Sequence, residues 1–353
     1  MTHRERVIAA LERRPTDRIP IALVCSGINA PAMRDLERYL GADRGATVQQ
    51  YLEPLIDIRH VDPDYTGPNP ARGADIWGVE RSPVSYGNGA YEEIVRHPLA
   101  DVRDPAELDR YPWPTTDWFD YGRFADDLRA APEADYCLMI SGGNPFETAW
   151  YMLGLERALE GLASEPDLVQ AVLDRVTAFY VEHTVRQLEA ADGLVDLVFT
   201  ADDLGGQRGL LLSPRLWEKH IRPCHEALNR TIHEFGARVI YHSDGAVASI
   251  AEPLADAGID ILQALQFDAE GMDPADLKRR LGSRIGFEGG VSVQRTLPFG
   301  TPDDVRREVR DRIAVLGAGG GYILGPSHAI QAGTPPENVV AMFDEAARPF
   351  APA

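Results

Sequence analysis

Residues 238–245 read Arg238-Val239-Ile240-Tyr241-His242-Ser243-Asp244-Gly245, an apolar run that ends abruptly on a histidine, a serine, an acid and a glycine. Apolar side chains at consecutive positions are buried on both faces, as in a parallel sheet covered by helices. The residues before this run, 214–235, keep apolar positions at helical spacing and open on Pro214. The same unit repeats along the chain. Candidate strands fall at 19–24, 136–140, 195–200, 238–242, 260–264, 284–287 and 321–324, and candidate helices at 166–190, 214–235, 274–281, 302–316 and 335–347. Each of these helices opens on proline, whose fixed φ and missing N–H suit a first turn. A further helix begins after Thr2, a capping residue, and stops before Pro15.

Strand alternating with helix predicts an α/β fold, with a doubly wound open sheet as the competitor to a barrel. The glycine-rich stretch Gly317-Ala318-Gly319-Gly320-Gly321 precedes its strand instead of opening a helix after one. That is the wrong context for cradling a dinucleotide phosphate.

With 55 acidic against 35 basic residues, the formal charge is −20. Such a field repels phosphate backbones and anionic membrane surfaces, so no nucleic-acid partner is expected. No apolar run nears the roughly 18 residues of a membrane span. Residues 1–14 are charged and do not read as a secretory signal, so a cytoplasmic protein is expected. Cys25, Cys137 and Cys224 form no CxxC pair and are expected as reduced, buried thiols. No low-complexity linker divides the sequence, which predicts one domain over residues 1–353. An insertion after the first strand, at about residues 62–121, breaks the rhythm with prolines, glycines and aromatics. Its Tyr65, Trp77, Tyr86 and Tyr91 are expected to wall the pocket or to line a homodimer interface.

In a parallel barrel, chemistry collects where strands end. Asp202, Asp203, Gln207 and Arg208 follow the strand at 195–200, and His242 and Asp244 follow the one at 238–242. Gln266, Glu288 and His328 lie beyond the next three, and Glu147 beyond the strand at 136–140. His242 and Asp244 are two apart, so on extended chain they point the same way, toward one ligand or metal. Asp202 and Asp203 are adjacent and face opposite sides. One of them is expected to reach the pocket as acid or base, while the other caps the following helix. His225-Glu226 and His233-Glu234 lack the second histidine of a zincin motif and are expected on helix surfaces.

Further residues carry a resemblance. Arg4-Glu5-Arg6-Val7 with Pro15-Thr16-Asp17-Arg18-Ile19-Pro20, and Gly289-Gly290-Val291 with Gly325-Pro326-Ser327-His328-Ala329-Ile330-Gln331, resemble the two ends of uroporphyrinogen decarboxylase superfamily proteins. The resemblance implies a (β/α)8 TIM-type barrel and one of two chemistries: metal-free decarboxylation of porphyrinogen acetates, or zinc-dependent methyl transfer involving corrinoids and thiols. The decarboxylases carry a Met-Arg-Gln-Ala-Gly-Arg segment where this chain has Cys25-Ser26-Gly27-Ile28-Asn29-Ala30, which disfavours a substrate with many carboxylates. The methyltransferase pattern His-x-Cys stands here as His242-x-Asp244, an oxygen ligand that makes a harder, more Lewis-acidic centre.

The leading expectation is demethylation of a small methylated substrate by zinc or another divalent metal at His242 and Asp244, with Glu288 or His328 as third ligand. Asp202 or Asp203 moves a proton, and a corrinoid, a corrinoid protein or tetrahydrofolate accepts the methyl group. Gln207, Arg208, Glu147, Gln266 and Trp77 are the candidate substrate contacts. The alternatives are a decarboxylase or lyase of a small carboxylic acid, with Arg208 gripping the carboxylate and Asp202 or His328 exchanging the proton, and a non-catalytic ligand-binding barrel.

Overall fold

The computed structural model describes every residue except Ser26, Arg72, Tyr86, Asn88, 131–134 and 350–353, with the side chains of Ala90 and Tyr91 also outside the description. Seven strands form one parallel sheet: β1 (Ile58–His60), β2 (Cys137–Gly143), β3 (Leu197–Ala201), β4 (Arg238–His242), β5 (Ile261–Ala264), β6 (Gly286–Val291) and β7 (Tyr322–Pro326). They lie side by side in chain order, each paired in parallel with the next. Helices expected from periodicity fill the crossovers, including Pro166–Ala191, Pro274–Leu281 and Pro302–Leu316. The expected helix at 214–235 is interrupted by a π-helical turn, Trp217–Ile221, before Arg222–Glu234 continues it.

The sheet buries both faces. Val239 and Tyr241 of β4 belong to a large core shared with the helices, while Ile240 belongs to a second, separate cluster with Ala22, Ile58, Met139, Leu197, Ile261 and Ile323. That second cluster is the inner face. Because side chains alternate, the residues two positions further along each strand form the next inner level. That level holds His60, Ser141, His242, Gln263 and Glu288, with Phe199 as an apolar member. An apolar plug therefore lies under a polar level at the carboxyl ends of the strands.

The expected first strand, residues 19–24, is no strand of this sheet. It makes one isolated parallel bridge, Ile21 to Leu324, although its hydrogen bonds run both ways. Ala22 N donates to Leu324 O at 2.9 Å, Leu324 N to Pro20 O at 2.8 Å, and Asp57 N to Ile21 O at 2.8 Å. Pro20 has no N–H to extend the ladder. The fully buried Asp57 pins the segment: Arg6 Nη1 donates to it at 2.6 Å, Arg18 Nη1 at 2.7 Å and Ile21 N at 2.8 Å. The N-terminal Arg6 and Arg18 are thus a clamp at the amino end of the sheet, far from the strand ends that carry chemistry.

The insertion follows β1, a three-residue strand that lacks a readable pattern, and so not the segment at 19–24. It contains the hairpin Glu80–Ser85 with Ala90–Arg96 and packs on helices: the buried Trp77 ring lies 4.9 Å from that of Phe179.

Candidate active site

His242 is the last residue of β4, and its ring stands on the inner polar level. Its Nδ1 faces Gln263 Oε1 on the neighbouring strand. A carbonyl oxygen only accepts, so Nδ1 donates in this pair, and Nε2 is the ring nitrogen turned toward the acids. Around Nε2 stand Asp203 Oδ1 at 3.6 Å and Asp244 Oδ1 at 3.7 Å, while His328 Nε2 lies 3.7 Å from Asp244 Oδ2. These separations exceed hydrogen-bond reach. Ligand atoms sharing a tetrahedral zinc ion through bonds of 2.0–2.1 Å stand about 3.3–3.5 Å apart, close to what is found. Asp244 Oδ1 is moreover buried without a hydrogen-bond partner among the described residues, and such an atom requires an explanation. Burial raises the Asp244 carboxyl above the usual carboxylate range; the His242 ring opposes this, Asp203 adds to it, and His328 opposes it.

The loop carrying Asp244 is held from several sides. Asp244 N donates to Asp203 Oδ1 at 2.7 Å, Leu204 N to Ser243 Oγ at 2.9 Å, and Gly245 N to Gln266 Oε1 at 2.8 Å. Gly245 sits at φ 79°, where a Cβ would come within 2.5 Å of the Gly205 carbonyl, so only glycine fits.

Asp202 and Asp203 face opposite sides, as adjacent residues must, and Asp203 is the one at the cavity. Asp202 is fully buried; it accepts from Glu147 N at 2.7 Å and from Phe146 N at the start of helix Pro145–Leu153, and it pairs with His225 Nε2 at 2.7 Å. It therefore caps this earlier helix, not the one that follows it in the chain, and its oxygens are engaged by that helix and by His225. His225, expected on a helix surface, is instead buried against it. His233 does stay partly exposed, paired with Asp260 at 2.8 Å.

Over this floor lies a cavity of about 370 Å³ lined by Cys25, Glu147, Asp203, His242 and His328, with Tyr151 and Phe199 as aromatic walls. Glu147 accepts from Tyr151 Oη at 2.7 Å and from Asn144 Nδ2 at 3.3 Å. Burial, followed by the charges of Asp203 and Asp202, pushes its carboxyl up to about 7. No arginine or lysine lines the cavity among the described residues.

Other expected site residues lie elsewhere. Gln207 and Arg208 are exposed on the turn between two short strands, Gly205–Gly206 and Gly209–Leu210, and are not among the residues lining the cavity. Gln266 is buried as the brace of Gly245. Trp77 packs behind Tyr180, whose hydroxyl donates to Asn144 Oδ1 at 3.0 Å, so it is one layer removed. Tyr65 packs within the insertion against Phe119. Tyr86 and the Tyr91 side chain lie outside the described residues. Glu288 is fully buried, one strand beyond Gln263; burial raises its carboxyl well above the usual range, and the neighbouring Gln263 amide opposes the rise. It points toward Gly325, where a Cβ would collide with it, and stands apart from the His242–Asp244 cluster. Conversely, Cys25, expected as a buried thiol, is only half-buried and lines the cavity, as does Tyr151, which sequence reasoning did not single out, while Gln263, a polar residue of the strand at 260–264, braces His242.

A parallel α/β sheet with acids, histidines and a cavity at its strand ends defines the class of barrel-like enzyme folds whose chemistry is built on loops. Within that class, this chain belongs to the uroporphyrinogen decarboxylase family: the profile described as Uroporphyrinogen decarboxylase (URO-D) matches residues 100–349. It is similar to a uroporphyrinogen decarboxylase of Legionella pneumophila, 23% identical over 96% of this chain and 94% of that one. It is also similar to a methylated-thiol–coenzyme M methyltransferase of Methanosarcina mazei, 25% identical over 55% of this chain and 48% of that protein. Among solved structures, a methyltransferase from Methanosarcina mazei superposes with a TM-score of 0.67 at 20% identity, covering 98% of each chain. No helix among the described residues is long and apolar enough to cross a membrane.

Proposed function

We propose that this chain is a metal-dependent methyltransferase that demethylates a small oxygen- or nitrogen-bearing substrate. His242, Asp244 and His328 hold zinc or another divalent ion, and a corrinoid, presented by a corrinoid protein, or a folate accepts the methyl group. In this reading residues 20–22 act as the eighth stave of a (β/α)8 barrel, and residues 1–353 form one domain. The observation that carries it is that Asp244 stands 3.7 Å from each histidine, through Oδ1 to His242 Nε2 and through Oδ2 to His328 Nε2, with Oδ1 lacking a hydrogen-bond partner among the described residues. The similarity to the Methanosarcina methyltransferases adds support.

The bound ion supplies Lewis acidity, polarising the heteroatom that bears the methyl group. Glu147, neutral up to about pH 7, gives its proton to that heteroatom as the methyl group departs, and Tyr151 and Asn144 hold the carboxyl in place. Tyr151 and Phe199 exclude water and pack the organic part of the substrate. Decarboxylation of a polycarboxylate is disfavoured because no cationic side chain lines the cavity among the described residues to hold the acid groups.

The test is to offer reduced corrinoid with a panel of methyl ethers and methylamines and to read methyl-corrinoid formation. Transfer that disappears in His242→Ala supports the reading. Absence of transfer across the panel, with carbon dioxide released from a porphyrinogen or a small acid instead, contradicts it.

A further inference from the structure

We infer that Cys25 is a ligand of the metal held by His242 and His328, so that the centre has a thiolate donor. The inference rests on the metal-binding reading above and deepens it. Cys25 Sγ and ring nitrogens of His242 and His328 all lie within 4.8 Å of one another, a second potential ligand group sharing His242 with Asp203 and Asp244.

The approach of Cys25 to His328 is built into the backbone. Past the bridge from Ile21 to Leu324, the two chain segments run on together: Ile330 N donates to Gly27 O at 2.9 Å, Asn29 N to Ile330 O at 2.9 Å, and Asn29 Nδ2 to Gln331 Oε1 at 2.9 Å. Gly27 takes φ 60° to turn the first segment, and Gly27 N donates to Cys25 O at 2.7 Å. The loop bearing the thiol is thus sewn to the loop bearing His328, and both end over His242. Cys137 and Cys224 are buried elsewhere, in the inner and outer cores, so Cys25 is the cysteine placed to reach this centre.

One sulfur with two imidazoles and a carboxylate is a borderline-soft donor set. It favours zinc or cobalt over magnesium or calcium. On binding, the thiol gives up its proton and the ion gains a sulfur bond; no electron transfer is involved.

The experiment is cobalt(II) titration of the full-length, metal-stripped, reduced protein, read by absorption. Wild type is expected to show a thiolate-to-cobalt charge-transfer band in the near ultraviolet. Cys224→Ser should keep that band. Cys25→Ser should lose it while still binding cobalt, at least roughly tenfold more weakly, the minimum seen when even an outer partner of a ligand is lost. Cobalt binding by wild type without the band overturns the assignment of Cys25 but leaves the histidine–aspartate centre standing. A band that persists in Cys25→Ser also overturns it. Failure of wild type to bind cobalt at all overturns both readings. If Cys25→Ser fails to fold, the band is expected to persist in the Cys137→Ala/Cys224→Ala variant, whose one remaining cysteine is Cys25, and its loss there overturns the assignment.

Discussion

His242 Nε2 and Asp244 Oδ1 stand 3.7 Å apart, too far for a hydrogen bond, although the His242 ring and the Asp244 backbone are each held by other neighbours. Gln263 fixes the imidazole from behind, and Asp203 accepts from the Asp244 backbone N–H. On the metal-binding reading, the gap between these two polar groups is where the ion sits.

The two adjacent acids should separate cleanly by mutation. Asp203→Asn is expected to weaken metal binding or turnover while leaving the melting temperature nearly unchanged. Asp202→Ala orphans buried His225 and two helix N–H groups, a loss on the order of 2–4 kcal/mol, read as a lower denaturation midpoint. The reverse assignment of effects would refute the placement of these two residues.

Glu147 should leave a mark on stability as pH changes. Its folded value of about 7 lies above its ordinary 4.5, so the native state binds more protons than the unfolded chain in that window. Its contribution is full below about pH 4.5 and is lost as pH rises toward 7, on the order of 3 kcal/mol. The stability difference between wild type and Glu147→Gln, measured by urea unfolding across this range, should carry that slope. A flat difference would show that Glu147 is not held protonated.

At the opposite end of the sheet, Asp57→Ala removes the shared partner of two buried arginines. A destabilisation of roughly 3–5 kcal/mol is expected, with unchanged metal stoichiometry in whatever protein remains folded. Thermal unfolding with elemental analysis checks both halves.

Arg208→Ala is expected to change neither metal content nor turnover, because the side chain is exposed beyond the cavity lining. A large rise in KM for the substrate would instead return Arg208 to the site and revive the carboxylate-gripping alternative.

Most of the sheet was legible because strands buried on both faces write unbroken apolar runs, as Val239-Ile240-Tyr241 does. Ile58–His60 was not legible, since three residues carry no period. The segment at 19–24 has a strand's composition but makes a single bridge, because Pro20 cannot extend the ladder. His242, Asp203 and His328 follow from the strand-end rule. Arg208 satisfies the same rule but does not line the cavity, because residues 205–210 fold into a tight hairpin with Arg208 exposed on its turn. His225 had a readable signal that was passed over: with Ile221, Leu228 and Ile232 it completes an apolar stripe at helical spacing, and a polar residue in such a stripe needs a buried partner, here Asp202. Cys25 had none, since its neighbours lie at distant points in the chain and no spacing links them.

The most direct test of the metal centre is elemental analysis of protein purified without a metal-affinity tag, comparing wild type with His242→Ala and His328→Ala. One divalent ion per wild-type chain is predicted, with loss of that ion in both variants while circular dichroism remains native. A wild type that turns over substrate without any bound ion, or variants that keep the ion in full, would contradict the account.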